Sequence, residues 1–333
     1  MFFMTGRDTL KGGKMDPELL KAARTALKDC MGVAKGEVIL VIVDEPLRKI
    51  GYAFWEAGRR LGLETILAEI IERETHGSEP PDAIARLMAN VDIVIAPTNK
   101  SLSHTNARRA ACAKGVRIAT LPGITPDSMR RTLAVDYKAK IKGPTEKLAK
   151  LLSGSSHAHV VTPAGTDITM SLKGREGEAD TGVAHKGGDF TNLPAGEAYI
   201  APIEGTTNGR IVVDGSMAGV GLVKRPFTMH VKKGYVVKFE GGKDADTIRK
   251  LAAQVGKLGC NIAELGIGTN VKARIVGNVL EDEKAIGTVH IAIGDNRSMG
   301  GNVSVPLHLD AILCKPTLSL DGKVIIKDGK MMG

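Results

Sequence analysis

Aromatic side chains make up only 3% of this 333-residue chain, with a single tryptophan. That scarcity removes the stacking platforms on which single-stranded nucleic acids are held. The net charge is +9, yet the basic residues are spread along the chain, with one short concentration over residues 138–150. A focused basic stripe is missing, so no nucleic-acid partner is expected, and the positive field reads as a solvated surface able to attract small anions. The four cysteines, Cys30, Cys112, Cys260 and Cys314, form no CxxC pair. This argues against a thiolate zinc site and a disulfide framework. No run approaches the roughly 18 apolar residues of a membrane helix, and residues 1–14 lack the apolar core of a signal peptide. The expectations are a flexible extension over residues 1–14, no membrane partner and a cytoplasmic location. Nor does a GxGxxG follow the first apolar run, where Val43-Asp44-Glu45-Pro46 stands instead. The dinucleotide fingerprint is absent.

What is present divides into two textures. Asp16-Pro17-Glu18 supplies an N-cap, a proline at the first helical position and an acidic first turn. The run over residues 37–44 is continuously apolar up to Asp44, the pattern of a strand buried on both faces. Helices and strands then alternate to about residue 121, and a helix is expected over residues 136–152. This predicts a doubly wound parallel sheet over residues 15–153. After Ser153-Gly154-Ser155-Ser156, short β-branched runs alternate with glycine-rich turns, interrupted by one helix over residues 245–257. Asp321-Gly322, between two apolar runs, predicts a type I′ hairpin. The fold class expected is therefore α/β: an N-terminal doubly wound domain, then a β-rich α+β metal-binding domain over residues 154–333.

The candidate chemistry lies in that second half. His308 and Asp310 are two apart, so on a strand both side chains point to one face. His290, eighteen residues earlier, stands in Thr-Val-His-Ile-Ala-Ile. Imidazole and carboxylate together suit divalent transition metals, although an ordinary His–Asp hydrogen bond gives the same pattern. Glu197 follows a Pro/Gly turn at the mouth of a strand, where either a working carboxylate or a solvated turn residue is found. Glu264 lies in Ala-Glu-Leu-Gly-Ile-Gly, and a carboxylate in such an apolar run must be paired, metal-bound or costly. The charged run over residues 281–284 reads as a surface turn. His76, His104, His157, His159, His185 and His230 have no such neighbours in sequence, and structural roles are expected for them.

Taken in order, Asn-Leu-Pro-x-Gly-Glu at 192–197, Glu-Leu-Gly at 264–266, His-Ile-Ala-Ile-Gly at 290–294 and His-Leu-Asp at 308–310 resemble the M29 family of thermophilic metallo-aminopeptidases. The resemblance implies a two-metal centre with Glu197, Glu264, His290, His308 and Asp310 as ligands. The tyrosine that those peptidases carry in Gly-x-Ala-Tyr is missing; Gly294-Asp295-Asn296-Arg297 stands there, with Asp295 or Arg297 as the available substitutes. The chain is also similar to the shorter 2,5-dihydroxypyridine dioxygenases, which use one Fe(II). His290, His308 and Asp310 match the composition of a facial triad.

The function expected from this resemblance is a metal-dependent hydrolase, similar to an aminopeptidase, that acts on a short peptide or related small amide. It would use one or two divalent ions per chain (Zn, Co or Mn) and self-associate into dimers or larger homo-oligomers. The alternatives are an Fe(II) ring-cleaving dioxygenase and a catalytically silent metal-binding relative. The general base is open between Glu264 and Glu283.

Overall fold

A computed structural model describes residues 15–332, and the expected extension over residues 1–14 lies outside them. The described residues separate into two compact units, residues 15–134 with 185–190, and residues 135–184 with 191–332.

In the first unit, Val38–Val43 is apolar throughout and buried from Ile39 onward. A strand buried on both faces must be flanked, and it pairs in parallel with Glu64–Glu69 on one side and Ile93–Ala96 on the other. Arg117–Thr120 continues the parallel ladder, and Phe190–Asn192 completes a five-stranded sheet. The helix Pro17–Thr25 starts where Asp16 accepts hydrogen bonds from the Glu18 and Leu19 amides. The helix Arg48–Arg60 seats closely because Gly51 and Gly58 carry no Cβ; one added there would strike Val43 and Thr65.

The second unit is built from two sheets, one of eight strands and one of seven. Side chains from both share one apolar core, with Val160, Ile168, Ile211 and Met229 from the first and Ile200, Leu265, Ile291 and Ala311 from the second. Face-to-face sheets sharing interdigitated side chains are the usual solution for antiparallel strands with one apolar face. The helix Gly143–Ser153 packs against Glu178–Asp180 and Glu197–Ile200. Residues 135–153 thus group with this unit rather than with the α/β half, and residues 185–190 return to the first. The hairpin is as expected: Asp321 and Gly322 both have positive φ, 47° and 82°, joining Thr317–Leu320 to Lys323–Lys327. No helix among the described residues is long and apolar enough to cross a membrane.

Candidate metal centre

Alternation on four strands of the seven-stranded sheet decides what each face carries. On Val289–Gly294, Val289, Ile291 and Ile293 enter the core, which turns His290 to the opposite face. On His308–Leu313, Leu309, Ala311 and Leu313 do the same and turn out His308 and Asp310. Ala198 and Ile200 leave Glu197 and Tyr199 on that second face of Glu197–Ile200. On Ile262–Gly268 a register irregularity follows Ile262, after which Leu265 and Ile267 point inward, opposite Glu264 and Gly266.

Register then brings the groups together. Gly266 lies between Tyr199 and His290 on the neighbouring strands, and Ala292 lies between Glu264 and Asp310. A Cβ at Gly266 would fall 1.9 Å from His290 Nε2. Only glycine leaves room for the imidazole to lie across that strand and reach Glu264 and Glu197, with its Nε2 3.2 Å and 3.3 Å from their carboxylates. His308 Nε2 is 3.1 Å from the other oxygen of Glu264 and 3.4 Å from Asp310. Glu264 therefore sits between the two imidazoles.

All five residues singled out from the sequence converge here. Donor atoms of Glu197, Glu264 and His290 lie within 4.8 Å of one another, as do those of Glu264, His308 and Asp310. Carboxylate oxygens and imidazole nitrogens are a donor set that divalent ions accept. Glu197 Oε2 is buried without a hydrogen bond and has His290 Nε2 beside it at 3.3 Å, which leaves a buried carboxylate oxygen short of partners. These residues fit a bound metal. No other histidine enters such a group among the described residues. His159 and His230 pair with Asp167 and Glu240 on the outward face of their strands, and His185 meets the Asp29 carbonyl.

Asp295 does not take the place of the missing tyrosine. Its carboxylate accepts from the Arg297 and Val305 amides, and its backbone carbonyl accepts from His308 Nδ1 at 2.8 Å. It holds the imidazole from behind. Arg297 is exposed.

The surface turn expected over residues 281–284 is a correction. Glu281, Asp282 and Lys284 are buried. The Lys284 ammonium donates to Glu197 and, at 2.8 Å, to Glu283, with Asp180 at 3.7 Å. Local sequence carries no signal for this, because Glu197 and Asp180 come from strands far earlier in the chain, and a charged side chain is buried only when paired. Tyr199 was also missed; its hydroxyl donates to Glu178 at 3.0 Å. The one available signal was its place two residues after Glu197, on the same face.

The electrostatics follow from burial and pairing. Burial opposes ionisation of Glu264, but the hydrogen bonds and charges of His290 and His308 hold its carboxyl well below the usual range. Burial disfavours a charged His290, yet Glu264 and Glu197 prevail and push it up to about 9. His308 is raised well above its ordinary value against burial, by Asp310 and Glu264. Burial pushes Glu283 up to about 8, over the attraction of Lys284 and aided by the negative charge of Glu197.

A sheet face with two imidazoles and three carboxylates at ligand spacing, on this two-unit scaffold, defines a metal-dependent enzyme with an aminopeptidase T-like fold. The chain belongs to the NicX family, 2,5-dihydroxypyridine 5,6-dioxygenase, whose profile matches residues 18–333. A curated relative, the 2,5-dihydroxypyridine 5,6-dioxygenase of Pseudomonas putida, is 22% identical over 275 residues, covering 75% of this chain and 73% of the relative. The solved structure of the Pseudomonas putida dioxygenase is similar with a TM-score of 0.80 at 20% identity, over 95% of this chain and 97% of that one. AmpT from Thermus thermophilus is similar with a TM-score of 0.72 at 16% identity, over 96% and 100%. The expected likeness to the aminopeptidases thus holds for the fold, whereas the family match is to the dioxygenases.

Proposed function

We propose that the protein is a metal-dependent hydrolase of this family, acting on a short peptide or a related small amide at its amino-terminal end. The observation that carries the reading is the position of Glu264, shared by two donor sets of one imidazole and two carboxylates each. Fe(II) oxygenases of the facial-triad type use two imidazoles and one carboxylate. Among the described residues no three-donor set includes both His290 and His308, which favours the carboxylate-rich arrangement of a hydrolase.

Glu264, His308 and Asp310 would hold one ion, and Glu197 and His290, with Glu264 between, a second. Zinc, cobalt or manganese suits these donors. Such an ion supplies a Lewis acid and a water acidic enough to be deprotonated near neutrality. Glu264, kept ionised by both imidazoles, acts as an acceptor only. Glu283 is the carboxyl that keeps a proton near neutral pH, the property wanted in a group that exchanges protons there, and Lys284 fixes its place. A cavity of about 550 Å³ is lined by Arg175, Glu178, Glu204 and Asn302, and Glu178 is tied to Tyr199 on the face that carries the donors. That volume suits a small ligand. The assembly proposed is a homo-oligomer, and a solution mass equal to one 35.2 kDa chain would remove that part.

The test is hydrolysis of a panel of amino-acyl p-nitroanilides by chelated protein resupplied with zinc, cobalt or manganese. Turnover above blank is expected, and its absence with every metal and substrate removes the reading. A second reading, an Fe(II) ring-cleaving dioxygenase, is favoured by the family match over residues 18–333. Oxygen uptake with 2,5-dihydroxypyridine after anaerobic Fe(II) loading would establish it instead.

A further inference from the structure

The two donor sets are not equivalent. In the set of Glu264, His308 and Asp310, the far nitrogen of the imidazole is anchored: His308 Nδ1 donates to the Asp295 carbonyl at 2.8 Å. Such outer partners fix the tautomer and leave Nε2 free to bind. This set is also open to solvent, since the His308 side chain is 32% exposed, so an ion has a way in.

The set of Glu197, Glu264 and His290 lacks both features. His290 Nδ1 is buried with no hydrogen-bond partner, and the ring is 1% exposed. Moreover, Glu197 Oε1 already holds a cation, the Lys284 ammonium. Lys284 is itself buried, hydrogen-bonded to Glu283 at 2.8 Å and with Asp180 at 3.7 Å. It contributes a fixed positive charge where a second metal ion would place two more. In a poorly solvated site that repulsion is screened little.

We propose that Lys284 acts as a built-in cation that makes the centre asymmetric: one ion is held tightly by Glu264, His308 and Asp310, and a second binds at Glu197 and His290 at least tenfold more weakly. This rests on the reading of the cluster as a metal centre and adds the ranking of its two halves. Lys284 is a positioning residue. It orients Glu197 so that only Oε2 remains for a ligand, and it supplies charge that would otherwise come from metal.

The experiment is equilibrium dialysis of chelated, full-length protein against Mn(II), with bound metal measured by elemental analysis and spin coupling between neighbouring ions by electron paramagnetic resonance. Wild type is expected to bind one Mn(II) before the second, with dissociation constants at least tenfold apart. Lys284→Met should tighten the second ion at least tenfold and bring in the coupled signal at lower metal, whereas Lys284→Arg should keep the gap. Equal affinities in wild type, or a gap unchanged in folded Lys284→Met, would overturn the proposal. If Lys284→Met does not fold, His290→Ala and His308→Ala decide. The first should keep the tight ion and the second lose it, and the reverse result would overturn the ranking. Folded wild type that binds no divalent ion would sink the metal-centre reading itself, and the ranking with it.

Discussion

Gly266→Ala tests the geometry at its tightest point. The added methyl would lie 1.9 Å from His290 Nε2 and 2.2 Å from its Cε1. Carbon contacts settle near 3.5 Å, so the ring would have to retreat by about 1.5 Å. That is enough to break its approach to Glu264 and Glu197, now 3.2 and 3.3 Å away. Forcing a methyl into a filled interior costs about 1–3 kcal/mol, and a displaced imidazole leaves two buried carboxylates short of a partner, which adds to the loss. The expected result is a urea midpoint lowered by an amount equivalent to about 2–3 kcal/mol, together with loss of binding of the second ion proposed at Glu197 and His290. The ion at Glu264, His308 and Asp310 should weaken far less. Gly143→Ala is the control, since nothing lies within 4 Å of its added methyl. Wild-type stability and undiminished metal binding in Gly266→Ala would refute the placement of His290.

Other outcomes follow from the same groups. In metal-free protein, His290 is raised from 6.5 to about 9, so its contribution, on the order of 3 kcal/mol, is complete below pH 6.5 and lost as pH rises through 9. Glu283, raised from 4.5 to about 8, costs stability as pH rises from about 4.5 to 8, so the two groups together predict stability of chelated protein that falls from about pH 4.5 to pH 9; a flat or rising profile contradicts the pairing. Because imidazole suits Zn(II) and Fe(II) while carboxylate suits Mn(II), Glu264→His should lower the ratio of Mn(II) to Zn(II) affinity by about tenfold, and an unchanged ratio in competition titrations would show that Glu264 is not a ligand. Gly322→Val, at φ 82° in the hairpin, should cost about 1–3 kcal/mol and leave metal binding unaltered. Altered metal affinity there would mean that the hairpin supports the site.

The parts legible in the sequence were those set by local pattern. Val38–Val43 announced its burial by being apolar at every position, Asp321-Gly322 announced its turn, and the spacing of His308 and Asp310 announced a shared face. Registry between strands was not legible, because it is settled by which apolar faces meet across long separations. That is why Gly266 gave no hint that it makes room for His290. The misreading of residues 281–284 has the same origin: Glu281 and Lys284 look like solvent-facing charges until Asp180 and Glu197 arrive beside Lys284. Residues 135–153 and 185–190 changed sides for a related reason, since the strands on which the helix Gly143–Ser153 packs come later in the chain.

The donors project from four strands whose reverse sides, through Ile200, Leu265, Ile291 and Ala311, are wedged into a common interior. The backbone positions are thereby fixed independently of what the outward side chains are. On the proposed reading, position 264 is a socket: exchanging its occupant would alter the appetite of the site for one element over another while the frame stays put. Reactivity on such a sheet can diverge through single codon changes, with no loop rebuilt and no strand displaced.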